Sequence, residues 1–345
     1  MSQTAASPVT SMSPNRVESE LEDLHRTVQR MMDEFGKTIV GQRAVVAELL
    51  ITIFAGGHNL LEGVPGLAKT LMINTLARLL SLDFNRIQFT PDLMPSDIVG
   101  TNVIEEDHTT GKRVIEFVAG PIFNNIILAD EINRTPPKTQ AALLQAMQEK
   151  EVTVGGKTYK LSPPFFVLAT QNPIDQEGTY PLPEAQKDRF LLNTFIKYPE
   201  LGEEEEIVEL TTTDTADTTE AICDGETLIR FQKVVRNIPV AKHVIRYAVD
   251  LARASRPDEA NSLEWTKELI SWGAGPRASQ ALILCAKAYA GIQGRLNVSC
   301  NDVRELALPV LRHRISASFT AEAEGITTDI IIKRLMEAVP ERAAS

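Results

Sequence analysis

Two groups of residues in this chain have the types and spacing for phosphate chemistry. Gly63, Val64, Pro65, Gly66, Leu67, Ala68, Lys69 and Thr70 form a glycine-rich run ending in a lysine and a hydroxyl, with Leu71 next. Between a strand and a helix, such a run turns backbone N–H groups and the positive end of a helix dipole toward a phosphate. Lys69 can then neutralise the β and γ oxygens, and Thr70 can hold magnesium. Ala68 stands where the pattern GxxxxGK[ST] has glycine. Alanine fits there if the backbone, one residue before the helix, already has a negative helical φ.

The second group is Asp130 and Glu131, directly after the apolar run Ile126–Ala129. Adjacent carboxylates at the end of a buried strand aim at different targets. Asp130 can hold magnesium, while Glu131 polarises a water for attack on a γ-phosphate. Taken singly, the first group could be a structural turn and the second a helix cap. Together, on separate strands of one sheet, they favour nucleotide chemistry.

The elements that must position these groups follow from hydrophobic pattern. Short apolar strands at Asn59–Leu61, Phe84–Phe89, Ile126–Ala129 and Phe165–Thr170 alternate with helical runs such as Arg43–Ala55 and Leu71–Leu80. That rhythm predicts an α/β fold, a parallel sheet with helices on both faces. Ligands of such sheets bind outside the carboxyl ends of the strands, so the glycine-rich loop and the carboxylates should face one crevice. Thr135, Pro136 and Pro137 predict a capped helix start, and Gly155-Gly156 a two-residue hairpin turn. Gln171, Asn172 and Pro173 put a polar amide on the same sheet edge.

The 345 residues, 43% hydrophobic and 23% charged, allow a sizeable core and suggest a main domain with a smaller companion. Residues 1–20, rich in Ser, Thr, Ala and Pro up to Asn15, read as a disordered tail. From Val17 a helical stripe runs through Leu21, Leu24, Val28, Met31 and Met32, with Gly36 as its end. Residues 21–200 form the α/β core and 201–225 an acidic linker whose glutamates, Glu203 to Glu206, begin a solvated helix. Residues 226–345 show only helical spacing and predict an all-α companion. The net charge of −11 repels phosphate backbones, so no nucleic-acid partner is expected. Three scattered cysteines suit a reducing, cytoplasmic setting. No apolar run is long enough for membrane insertion.

With these residues in view, the chain from about Leu21 onward resembles the AAA+ ATPases, and within them the MoxR family. The resemblance rests on Gly63–Thr70, on Ala129–Lys138, on Ala169–Pro173, on Leu182–Phe190 and on Gly275–Ser279. It implies an AAA+ P-loop core with a smaller C-terminal lid, and ATP with Mg2+ as ligands. It further implies that Asn172 is a polar sensor positioning the attacking water. Arg189 would be an arginine finger reaching a neighbouring subunit's γ-phosphate, and Arg277 a second sensor for the same or an adjacent subunit. Val40 and Gly41 resemble the segment packed beside adenine. The stretch Asp92–Phe123 resembles an insert that, with the Gly155 hairpin, projects toward a ring pore or substrate. The family implies a homo-oligomeric, hexameric ring acting as a chaperone-like motor on partner complexes. That work includes cofactor or metal insertion, alongside von Willebrand factor A domain proteins. A helicase-like motor and a metal-chelatase motor subunit are the alternatives, and the acidic balance argues against the first.

Overall fold

The computed structural model describes residues 14–106, 113–172, 178–213, 219–259 and 262–341. Two helices, α1 (Pro14–Thr38) and α2 (Arg43–Ala55), precede strand β1 (Asn59–Glu62) and helix α3 (Lys69–Leu79). Then come β2 (Phe84–Gln88), α4 (Pro95–Val99), β3 (Gly100–Glu106), β4 (Arg113–Ala119), β5 (Ile126–Asp130) and α5 (Pro137–Glu149). The hairpin β6 (Glu151–Val154) and β7 (Lys157–Lys160) leads to β8 (Phe166–Gln171), α6 (Glu184–Lys187) and β9 (Leu192–Phe195).

Five of these strands form one parallel sheet in the order β2-β5-β8-β1-β9. Every residue of β5 is buried, as a parallel strand covered on both faces requires. Alternation along the strands divides the core in two. Leu60, Ile87, Ile127, Ala129, Val167 and Ala169 face Leu143, Leu144 and Met147 of α5. Leu61, Ile126, Leu128, Phe166, Leu168 and Leu192 join the opposite cluster, which includes α1, α2 and α3.

Downstream are α7 (Leu201–Thr211), α8 (Gly225–Asn237), α9 (Lys242–Ala254), α10 (Glu264–Leu269), β10 (Ile270–Trp272) and α11 (Pro276–Ile292). The chain continues through α12 (Cys300–Glu305), α13 (Ala307–Leu311), β11 (Ser316–Ala317), α14 (Phe319–Ala323) and α15 (Thr328–Ala338). Phe231 of α8, Leu282 and Cys285 of α11 and Val310 of α13 belong to the same cluster as α1 and α2. The C-terminal helices and the sheet thus share one apolar core.

Several expectations are corrected. The companion region is helical as expected, with one short antiparallel ribbon, β10 with β11, added to its helices. Helix α1 starts at Pro14, three residues before the expected stripe from Val17 and inside the expected tail, and Glu20 pairs with Arg230 of α8 at 3.3 Å. Residues 1–13 lie outside the described residues. Gly36 does not end α1, since Phe35 and Ile39 continue its buried stripe. Thr135 is no cap: its hydroxyl donates to Thr90 O at 3.0 Å, while Pro136 occupies the N-cap of α5. The strand β9 was not expected, because Asn193 and Thr194 interrupt its apolar run. Both are buried and bonded, Asn193 Nδ2 to Glu62 Oε1 at 2.6 Å and Thr194 Oγ1 to Glu48 Oε2 at 2.5 Å. The glutamates of α7 do form a capped helix, with Glu203 Oε2 accepting from the Glu200 N–H at 3.0 Å. Gly155 and Gly156, at φ 58° and 79°, make the expected hairpin turn.

His58, at the entry to β1, is held neutral. Its Nδ1 accepts from the Val167 N–H at 2.9 Å and its Nε2 lies 3.2 Å from Met147 O, while burial pulls its pKa down to about 4. A pKa below the ordinary 6.5 means that the unfolded state takes up the proton first. Stability should therefore be full above pH 6.5 and fall by about 3 kcal/mol on acidification to pH 4. Urea midpoints of the wild type and His58→Gln across this range check it, the variant having the shallower slope.

Candidate nucleotide-binding site

The loop after β1 turns through Gly66, whose φ of 88° suits glycine, and its first residue is tied to the sheet by a Gly63 N–H to Gln171 O bond of 3.4 Å. Lys69 opens α3 and Thr70 follows it, both half-buried. Ala68 is the N-cap of α3 with φ 52°, a left-handed conformation. The expected negative φ is thereby corrected. This position does favour glycine, and alanine holds it under strain of about 1–2 kcal/mol.

The carboxylates arrive on β5, which pairs with β8, which pairs with β1. The hydroxyl of Thr170, fully buried on β8, donates to Asp130 Oδ1 at 2.6 Å and accepts from the Glu131 N–H at 2.8 Å. Asp130 Oδ2 also accepts from Arg86 Nε at 3.0 Å and Nη2 at 2.5 Å. Glu131 is left-handed, at φ 57°. Its Oε2 takes Gln88 Nε2 at 3.0 Å and Arg134 Nη1 at 3.1 Å. A non-glycine residue held at positive φ by neighbouring bonds is the kind of strain that clusters at functional sites.

Lys69 feels the charge of both carboxylates. Its ammonium donates to Gly63 O at 2.5 Å. Burial pulls its pKa below the ordinary lysine value, and the charges of Asp130 and Glu131 oppose that shift. A partly desolvated ammonium gains more from an anionic phosphate than a hydrated one does. Asn172 is the first residue past β8, between the ends of β1 and β5, and is half-buried and partnered. Pro173 lies outside the described residues.

Beside the loop opens a cavity of about 320 Å³. Its walls are Ile39 and Val40, Pro65 to Ala68, Leu71 and Met72, with Tyr198, Ile207 and Leu210 opposite. Mostly apolar and slot-sized, it suits a planar base. Gly41 does not line it. That residue faces an adjoining cleft, where the Glu203 carboxylate crowds the place a Cβ would take. Arg189 and Arg277 do not line it either. Arg277 reaches Asp188 Oδ2 at 3.5 Å, and Arg189, next in the chain, has a buried Nε without a hydrogen-bond partner among the described residues.

Sequence reasoning missed Thr170, Arg86, Gln88 and Arg134, and the α7 residues that face the base slot. Arg86 and Gln88 alternate with Ile87, so their shared direction was readable. Their target was not, because it depends on β2 pairing with β5.

Comparison with known proteins adds to this geometry. Residues 58–192 match the family model described as ATPase family associated with various cellular activities (AAA), and residues 263–335 match the AAA lid domain. Chaperone MoxR1 of Mycobacterium tuberculosis is 41% identical over 335 residues, covering 97% of this chain and 87% of that protein. The chain belongs to the MoxR family of AAA+ ATPases. Protein MoxR of Paracoccus denitrificans, another relative, is 30% identical over 88% of this chain and 92% of its own. A crystal structure from Cytophaga hutchinsonii superposes with a TM-score of 0.88 at 42% identity, covering 95% of this chain and 99% of that one. The parallel sheet with a C-terminal helical lid is the family's architecture, and ATPase activity comes with membership.

The strain at Ala68 is testable in this MoxR protein. Ala68→Gly recovers about 1–2 kcal/mol of left-handed strain against about 0.5–1 kcal/mol of added chain entropy, a net gain of about 0.5–1 kcal/mol. Ala68→Val, β-branched at positive φ, should lose stability and weaken nucleotide binding. Denaturant midpoints and fluorescent-nucleotide titration check both.

Proposed function

We propose that this protein is a Mg2+-dependent ATPase that works as a ring and remodels partner protein complexes. The observation that carries the reading is that the loop after β1 and the carboxylates ending β5 flank β8, with Lys69 feeling the charges of Asp130 and Glu131 and the same loop, Pro65 to Ala68, walling an apolar slot. A base in the slot directs its triphosphate along Pro65 to Thr70, past the start of α3. Lys69 neutralises phosphate oxygens there, and Glu131 orients the attacking water and takes its proton at a carboxylate oxygen. Asn172 holds that water from the adjoining strand end.

The donor set fits magnesium: a hydroxyl on Thr70 and a carboxylate on Asp130 are hard oxygen ligands, and Mg2+ is typically held by one or two carboxylates plus phosphates. Among the described residues no group of three or more His, Cys, Asp or Glu side chains could hold a metal by itself. Held by Thr70 and Asp130, the ion would supply charge neutralisation to the phosphates. Thr170 and Arg86 orient the Asp130 carboxylate for it.

Arg189 and Arg277 complete the site from an adjacent subunit in this reading. The absence of both from the nucleotide cavity and the pairing of Arg277 with Asp188, the residue before Arg189, support it. A ring then follows, because each pocket needs a neighbour, and six subunits is the number proposed. Clients are protein complexes that receive a cofactor or metal, with a von Willebrand factor A domain protein as co-worker and the cytoplasm as the setting. Among the described residues no helix is long and apolar enough to cross a membrane. The net charge of −11 disfavours the helicase-like alternative, while a chelatase motor would share each of these residue roles.

Glu131→Gln should keep ATP affinity while lowering steady-state hydrolysis by about 10²–10⁴-fold. Turnover and equilibrium nucleotide binding, measured with and without Mg2+, check this. Unchanged turnover in the variant, or wild-type turnover indifferent to the ion, removes the assignment.

A further inference from the structure

The turn carrying Arg189 has little structure of its own, since α6 spans only Glu184–Lys187. It is held from outside by Arg314, a residue of the C-terminal region whose side chain is 3% exposed. Arg314 Nε donates to Asp188 Oδ1 at 2.8 Å, Nη2 to Phe190 O at 2.6 Å and Nη1 to Leu191 O at 3.1 Å. A further bond from Nη1 to Val310 O anchors the guanidinium to α13. The adjacent His313 places Nε2 3.0 Å from the same Phe190 O. Backbone carbonyls just beyond Arg189 and the carboxylate just before it are thus gripped by one buried guanidinium. Asp188 then offers its second oxygen to Arg277, at the start of α11.

The guanidinium groups of Arg277 and Arg314 repel one another unless an anion stands between them, and Asp188, the residue before Arg189, is paired with both. We propose that Asp188 and Arg314 are positioning residues for hydrolysis in the neighbouring subunit: they fix the backbone around Arg189 and draw Arg277 beside it, so that both guanidinium groups reach the adjacent phosphates together. This rests on the reading of Arg189 as a residue that acts in the next subunit. Neither Asp188 nor Arg314 lines the nucleotide cavity. Their contribution is geometric, and a displacement of about 1 Å at a catalytic group can cost about a hundredfold in rate.

The test uses full-length protein and mixed assemblies. Asp188→Asn should lower kcat for ATP about a hundredfold, with KM and fluorescent-nucleotide affinity unchanged within about twofold. Lys69→Ala protomers lack their own nucleotide grip but keep an intact Arg189 face. Co-assembled one to one with Asp188→Asn protomers, they should restore turnover in those pockets that receive a Lys69→Ala neighbour. An Arg189→Ala variant mixed in the same way is the reference. Wild-type turnover in Asp188→Asn overturns the proposal. So does a defect that mixing leaves unrepaired while Arg189→Ala is repaired, because the fault then lies in the variant's own pocket. If Arg189→Ala is not repaired either, the neighbour-directed reading itself fails. Should Asp188→Asn not fold, with a buried guanidinium left uncompensated, Asp188→Asn with Arg314→Gln removes both charges and faces the same outcomes.

Discussion

The parallel pairing of β1 and β5 on either side of β8 is the constraint from which the rest of the site follows. The P-loop lysine leaves the end of β1, the two carboxylates leave the end of β5, and only the intervening strand brings them to one place. Its contribution is more than spacing, because the Thr170 hydroxyl binds one carboxylate by side chain and the other residue by backbone. A buried hydroxyl that both donates and accepts leaves no orphan group, so the cluster can be rigid without a desolvation penalty. The left-handed Glu131 is tolerated on the same account. Its N–H is satisfied by Thr170, and its carboxylate is gathered by Gln88 and Arg134.

Much of this was legible in the residues. The four expected strands occur within one residue of the expected places; β5 and β8 stand out because strands buried on both faces are continuously apolar, whereas β2 shows only Ile87 fully buried. The phosphate loop and the acidic pair were readable because their chemistry is local. What escaped was whatever depended on a partner far along the chain. Strand β9 carries Asn193 and Thr194 inward to polar partners, Glu62 and Glu48, that no window around residue 193 contains. The stripe from Val17 was legible, and α1 begins three residues before it, at Pro14, where no apolar residue marks the turn. The φ of Ala68 was misjudged for another reason. Local propensity argued for a helical residue, and the phosphate loop imposes a left-handed one despite the cost.

The acidic stretch after residue 200 shows how one segment can carry two meanings. Its glutamates are a solvated, capped helix face, as charge pattern implies. The other face of the same helix presents Ile207 and Leu210 to the base slot, while none of its residues is fully buried. Glu203 turns back to fill the space above Gly41. A segment that separates two regions in sequence therefore forms a wall of the nucleotide cavity in space. Composition gave its solvent side, and only the fold could reveal its inner one.

Coupling between the C-terminal region and the sheet follows from three consecutive residues. Arg312 donates to Asn193 O at 3.1 Å, pairs with Asp329 and lies 4.0 Å from the Phe195 ring centroid. His313 and Arg314 take the carbonyls of Phe190 and Leu191. Every one of these contacts with the sheet falls on β9 or on the turn that leads into it, next to the strand that feeds the phosphate loop. Burial opposes the charge on Arg314, and the Asp188 carboxylate offsets that penalty. Loss of either partner would expose the other to the full cost of an unpaired buried ion. Sliding the C-terminal helices relative to the sheet would break these bonds together, so a shift of that region must carry the 188–195 segment along with it. The hydrogen bonds that stabilise the shared core are thus also the mechanical link between the C-terminal helices and the edge of the sheet.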